Sequence, residues 1–304
     1  MAAFAADDLQ LAPKRHKGPA ARINNVFSVD VEEWFQVGAF ENTLSREDWP
    51  NLESRVELQT RKILALLEAA QTKATFFCLG WVAERTPQLI KTISDKGHEI
   101  ACHGMDHQRI FRFTEAEFFE DISRAKHLLE QACGKAVVGY RAPSFSMSQA
   151  TWGHYDQLLN AGFRYSSSVV PAQTDHYGAA GLPRLPFHPV SGSSFVEVPM
   201  TVAEVFGRTI PASGGGYFRL LPRLISGWLM KKAKQQTGVG TIFYMHPWEV
   251  DPAQPFVREA PLKSRLRHYI GQKQMAMKLE KLLAQGKYMA LEDFITTEYA
   301  VDLQ

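Results

Sequence analysis

Cysteine is scarce in this chain: three residues in 304, an odd number with no paired spacing. That argues against a disulfide-stapled secreted scaffold and points to reduced thiols in a cytoplasmic setting. No run of about twenty apolar residues occurs, so no transmembrane helix is expected. The first two dozen residues lack the apolar core of a secretory signal. An excess of one charge is also missing. The 34 Lys and Arg against 32 Asp and Glu leave +2, and with the basic residues dispersed there is no footing for nucleic-acid binding.

What is present is a large apolar share and regular alternation of element signals. Helix-period segments lie at about Leu52 to Ala70, Pro87 to Lys96, Glu115 to Cys133, Gln149 to Ala161, Leu221 to Gln235 and Leu266 to Leu283, with short apolar runs between most of them. Thr114-Glu115-Ala116-Glu117 has the capping-box pattern that starts one helix. Alternation of this kind predicts an α/β fold with a parallel sheet. The length would allow two domains, but α/β barrels run this long as one, and no Pro/Ser-rich linker or repeat divides the chain. We read residues 1–24 as a flexible tail and 25–304 as one domain. From Val170 to Gly216 periodicity is weak, so that stretch is expected to be loop walling a groove.

Four predicted strand ends carry polar groups. Asn25 to Trp34 places Asp30 and Glu32 on one face of an extended chain. A four-residue strand after Gly97 ends at His103, with His107 four positions on. The run ending at Arg141 precedes Pro143, and Thr241 to Met245 delivers His246. In α/β folds, loops beyond the carboxyl ends of parallel strands line the binding face. Two neutral imidazoles with an anionic oxygen can hold a divalent cation. An arginine can keep a carboxylate ionised, and a histidine can donate a proton near neutral pH. Each group has a plain alternative: a chance loop pair, a solvated acidic strand end, a structural ion pair, a histidine packed beside an aromatic. Cys102 precedes His103 and is expected to point to the opposite face, into the core.

These segments together resemble the polysaccharide deacetylases with the NodB homology domain, carbohydrate esterase family 4 and its relatives. The motifs are Ser28 to Phe35, Ala74 to Phe77, Gly97 to His107, Tyr140 to Ser146, Gly214 to Arg219 and His246 to Glu249. The Val-Asp-Val-Glu-Glu-Trp-Phe form is similar to the branch found in exopolysaccharide gene clusters with exosortase systems. The resemblance runs from about Asn25 to about Phe294. It implies a distorted (β/α) barrel with fewer than eight regular repeats and metal-assisted removal of N-acetyl groups from an N-acetylhexosamine in an exopolysaccharide or its lipid-linked precursor.

By the same resemblance His103, His107 and Glu32 are the metal ligands, with Glu32 in place of an aspartate usual at the position of Val31. Zn²⁺ is the first choice of metal, Co²⁺ or Ni²⁺ the alternatives. Asp30 is the base, Arg141 its partner and His246 the acid. A backbone N–H of Arg141 or Ala142 would hold the oxyanion, since Pro143 has none. Related sequences have Tyr-Asp-Ser-Ser where this chain has Tyr165-Ser166-Ser167-Ser168, so His246 is expected to lean on another carboxylate such as Glu249. Candidate substrate contacts are Trp34, Tyr140, Pro143, Phe145, Tyr217 and Trp248, ordinary packing being the alternative for each aromatic. The basic run Lys14 to Lys17 and the pair Lys231-Lys232 offer contact with an anionic membrane carrying lipid-linked substrate, placing the protein in the cytoplasm or at the inner membrane face. Two other readings remain open: an allantoinase-like amidohydrolase for a small cyclic amide or imide, and a non-catalytic carbohydrate-binding protein. An open groove, a closed pocket or loss of metal would separate them.

Overall fold

The computed structural model describes residues 9–15, 24–174, 178–299, 301 and 303. Among these, twelve strands form: β1 Gln10–Leu11, β2 Asn25–Val31, β3 Thr75–Cys78, β4 Glu99–Cys102, β5 Gly139–Tyr140, β6 Tyr165–Ser166, β7 Phe187–His188, β8 Val196–Glu197, β9 Val202–Val205, β10 Arg208–Pro211, β11 Ile242–Met245 and β12 Tyr288–Met289. One sheet runs β1-β7-β8-β6-β5-β4-β3-β2-β11, with β12 beside β2. From β11 through β8 all neighbours are parallel; the β8–β7 and β7–β1 pairings at the edge are antiparallel. Every residue of β2 is buried, as expected of a parallel strand covered on both faces.

The sheet curls into a distorted barrel. On a flat sheet β2 and β5 would stand about 14 Å apart, three strand spacings, yet Arg141 at the end of β5 bonds directly to Asp30 on β2. The margins β8 and β11 share no ladder. They meet through the segments beyond them: Ile242 N–H donates to Thr201 Oγ1 at 2.7 Å, Ser213 Oγ donates to the Ile242 carbonyl, and Ala212 N–H reaches the Thr201 carbonyl. Side-chain bonds stand where a closed barrel would have a strand pair.

Helices cover the outside. The helix Glu115–Cys133 begins with the reciprocal Thr114–Glu117 box and stops at left-handed Gly134, as its sequence predicts. The stretch read as one helix from Leu266 to Leu283 is two, Leu262–Tyr269 and Gln272–Gln285, broken at Gly271 with φ +74°. Short helices at Gly80–Arg85, Gly215–Leu220 and Leu291–Glu298 carry too little periodicity to be read from sequence.

Two expectations need correction. The expected flexible tail contains a packed piece: β1 pairs with β7, Ala12 is buried and Lys14 bridges to Tyr299; residues 1–8 and 16–23 lie outside the described residues. Val170 to Gly216 is also more than loop, since it carries β7 to β10. Its Val196 and Glu197 extend the parallel sheet, and strands this short leave no legible alternation.

Candidate active site

β2 ends by sorting three adjacent acids. Asp30 and Glu32 face the barrel mouth, whereas the Glu33 carboxylate turns outward. It accepts Ser54 Oγ and the Arg55 and Val56 N–H groups at the start of helix Val56–Ala69, which makes Glu33 a helix cap. Spacing alone does not separate it from its neighbours.

Beyond β4 the chain turns sharply, with Gly104 at φ +78° and His107 at φ +61°. That turn, rather than a helix face, brings the His103 and His107 ring centroids to 5.4 Å. Ligand atoms of Glu32, His103 and His107 all lie within 4.8 Å of one another. His103 Nδ1 sits 2.8 Å from the Arg141 carbonyl. A carbonyl only accepts, so Nδ1 carries the proton and the Nε2 lone pair is left for a cation. Burial lowers the His103 pKa to about 4, so the ring is neutral at pH 7. Glu32 Oε2 is buried with no hydrogen-bond partner of good geometry among the described residues, although His107 Nε2 is only 2.8 Å away. An orphaned carboxylate oxygen flanked by two imidazoles is the donor set of a borderline divalent cation. Burial disfavours the Glu32 carboxylate, but the histidines outweigh it and hold the pKa below the ordinary range. Trp248 Nε1 donates to Glu32 Oε1 at 3.1 Å and fixes its orientation.

Asp30 is held by Arg141, Nη1 to Oδ1 at 2.6 Å, with both side chains buried. The guanidinium is itself fixed by Ser28 Oγ, the Ser167 carbonyl and Ser167 Oγ, and lies 4.0 Å over the Phe77 ring. His246 Nε2 stands 4.0 Å from Asp30 Oδ2 and 3.8 Å from Glu32 Oε1. Its other nitrogen, Nδ1, bonds Glu249 Oε1 at 2.7 Å, as the missing aspartate at Ser166 led us to expect. Burial opposes the imidazolium, yet Glu32, Glu249 and Asp30 raise the His246 pKa to about 9, leaving it protonated at neutral pH.

The carboxylate behind His246 has its own support. Arg219 Nε donates to Glu249 Oε2 at 2.7 Å, and its Nη atoms donate to the His268, Ile270 and Arg267 carbonyls. Gly215 leaves the space: a Cβ there would come within 1.8 Å of Glu249 Oε1. Arg219 escapes a reading of local motifs because its partner is thirty positions away. At Ser166 the chain has built something different. Ser166 Oγ pairs with Ser168 Oγ, and the neighbouring buried carboxylate is Glu197, which accepts the Ser168 and Val169 N–H groups and the Tyr155 hydroxyl.

Several expected substrate contacts are packed instead. A ring needs an open face to stack on a sugar. Tyr140 is buried against Phe118 and Phe163. Trp34 is buried beside Phe35 with Nε1 donating to the Glu53 carbonyl, and Phe145 is buried edge-on to Tyr244. Pro143 is buried at the start of a 3-10 turn. Trp248 is sandwiched between His246 and His268, where it orients Glu32 and His246. Tyr217 alone of the six is exposed. The two amides expected at the oxyanion are already engaged: Arg141 N–H bonds the Cys102 carbonyl in the sheet, and Ala142 N–H bonds Ser168 Oγ. The next backbone N–H along this loop is that of Ser144, at φ +54°. Cys102 is buried in the core as expected, its thiol pushed up by burial.

Residues 47–165 match the family model "Polysaccharide deacetylase", and residues 167–296 match a domain of unknown function, DUF3473. The first of these matches places residues 47–165 in the polysaccharide deacetylase family. The chain is 28% identical over 155 residues to the peptidoglycan deacetylase of Helicobacter pylori, half of this chain and 51% of that protein. It is 35% identical over 103 residues to a peptidoglycan-N-acetylglucosamine deacetylase of Bacillus cereus, 34% of this chain and 36% of that protein. The chain thus spans about half or less of these curated relatives. Among solved structures, a Mycobacterium smegmatis protein described as a polysaccharide deacetylase superposes with a TM-score of 0.64 at 18% identity, covering 95% of this chain and 94% of that one, which shows the fold. The two matched stretches are not separate bodies: β6 at the end of the first pairs with β8 in the second. His246, Trp248, Glu249 and Arg219 all come from the stretch of unknown function.

Proposed function

We propose that this deacetylase-family member is a metal-dependent hydrolase that removes N-acetyl groups from N-acetylhexosamine units of an exopolysaccharide or its lipid-linked precursor. The observation that carries the reading is the convergence, at one barrel mouth, of a Glu32–His103–His107 cluster with an ion-paired Asp30 and a protonated His246. Glu32, His103 and His107 would hold Zn²⁺, which lowers the pKa of water and polarises a carbonyl. Asp30, held in place by Arg141, takes the proton of water as its oxygen adds to the acetyl carbon. His246 gives its proton to the sugar nitrogen as the C–N bond breaks, releasing acetate and the free amine. A purely carbohydrate-binding protein has no use for a buried acid and base held by dedicated partners, and that supports the catalytic reading.

The test is acetate release from N-acetylhexosamine oligomers, with allantoin and a cyclic imide followed by ring opening, using chelated and Zn²⁺-restored protein. Metal-dependent acetate release that falls about 10²- to 10⁴-fold in Asp30→Asn is expected, the usual share of a general base. Ring opening of the cyclic substrates with no acetate release would overturn it.

A further inference from the structure

Although the chain as a whole is nearly neutral, its charge is segregated around the Glu249–Arg219 wall. Residues 205–248 contain six Lys and Arg and no Asp or Glu, and residues 260–279 contain five and none. The dispersal read along the full sequence does not hold here. These two segments also carry a large part of the exposed apolar surface of the molecule. Leu220, Leu224, Ile225, Trp228, Leu262, Leu266 and Ile270 are all exposed, Leu224 at 78% and Trp228 at 47%.

The exposure follows helix geometry. On helix Arg223–Thr237, Ser226, Leu229 and Ala233 are buried, at spacings of three and four that define its inward face. The opposite face carries Leu224, Ile225 and Trp228, followed by Lys231 and Lys232, with Lys232 Nζ 5.3 Å over the Trp228 ring. On helix Leu262–Tyr269 and the residue after it, Leu262, Leu266 and Ile270 repeat every fourth position beside Lys263 and Arg267. Arg219 ties the two regions together: it lies in helix Gly215–Leu220, which leads into the first, and it binds the carbonyls of Arg267, His268 and Ile270 in the second. Two amphipathic faces, each with large apolar side chains and only positive charge, are thus linked through the helix that carries Arg219, beside Glu249 and His246.

We propose that these two helices form a docking face for an anionic lipid bilayer. Monomeric proteins rarely expose apolar patches of this extent without a partner. Leu and Trp beside Lys and Arg, with no acidic residue between, is the complement of a headgroup layer carrying negative charge. The docked protein would sit with the His246 side of the barrel mouth near the membrane plane, suited to a substrate on a lipid carrier. The docking itself stands on exposure and charge and does not depend on the reaction.

The test uses the full chain in sedimentation with vesicles of phosphatidylcholine alone and of phosphatidylcholine with about one third phosphatidylglycerol. Two variants accompany it, Leu224→Glu and Lys231→Glu/Lys232→Glu, both at surface positions, with thermal melts to show that each folds. Binding to the anionic vesicles only, weakened by salt, is expected. It should drop about 20-fold or more in the lysine variant and about 10-fold or more in Leu224→Glu. Absence of binding to either vesicle, or equal binding by wild type and both variants, would overturn the proposal. So would a concentration-dependent dimer that Leu224→Glu dissociates, since the face would then belong to a second copy.

Discussion

Replacing Glu249 by glutamine should move the pH dependence of turnover while leaving substrate affinity nearly intact. Glu249 is bonded to His246 Nδ1 at 2.7 Å and contributes to the elevated His246 pKa of about 9. A hydrogen bond to a charged group is worth about 1.5–3 kcal/mol, and 1.36 kcal/mol corresponds to one pKa unit, so losing the carboxylate should lower the His246 pKa by about 1–2 units. The sign follows from the direction of the shift: the carboxylate favours the imidazolium, so without it the proton leaves at lower pH. If His246 is the acid, the alkaline limb of kcat shifts down by that amount. Glutamine also strands Arg219, whose buried cation would lose the carboxylate it pairs with among the described residues, a loss that destabilises by about 3–5 kcal/mol. The assay therefore pairs Glu249→Gln with Glu249→Gln/Arg219→Met, following kcat from pH 6 to about 10 alongside thermal melts. An alkaline limb that stays in place in a folded variant would refute the role given to Glu249.

Other predictions follow from the same geometry. Gly215→Ala drives a Cβ into Glu249, and should cost about 1–3 kcal/mol by overpacking while lowering kcat, read by urea unfolding and turnover of the same sample. Arg141→Lys keeps the charge but not the planar fork over Phe77 and Asp30, and should lower kcat with KM little changed. Away from the site, Glu99 at the base of β4 is partly buried and accepts from Thr75, Tyr165 and the Glu292 N–H; desolvation raises its pKa from 4.5 to about 7. Because the folded form holds this proton more tightly, the stability it brings is complete below about pH 4.5 and lost as pH rises through 7, up to about 3 kcal/mol. Glu99→Gln should flatten that slope in denaturation series between pH 4 and about 8, and an unchanged slope would contradict the assignment.

How much of this was legible in the sequence depends on the range of each interaction. Strand alternation placed Asp30 and Glu32 on one face, the strand ends singled out His103, His107, Arg141 and His246, and the resemblance assigned their roles; the structure brings all six to one mouth. Local rules also predicted the Thr114–Glu117 box and the inward thiol of Cys102. What local rules do not carry is which of several similar residues the tertiary fold selects. Glu33 looks like Glu32 until helix Val56–Ala69 arrives with three donors for it. Trp34, Tyr140 and Trp248 read equally as stacking surfaces or packing, and neighbours distant in sequence decide for packing. The Arg141 and Ala142 amides seemed available until the sheet and Ser168 took them. Short strands such as β8 and the six-residue helix carrying Arg219 lie below the length at which periodicity is detectable.

The central claim is that Glu32, His103 and His107 hold one catalytic cation beside Asp30. The most direct measurement is a Zn²⁺ titration of the chelated protein in which bound metal and acetate release from an N-acetylhexosamine oligomer are read on the same samples, with His103→Ala alongside. The account predicts that activity rises linearly to a plateau at one Zn²⁺ per chain, and that His103→Ala neither retains the ion nor releases acetate. Acetate release that is complete before metal is added, or that survives undiminished in His103→Ala, would contradict it.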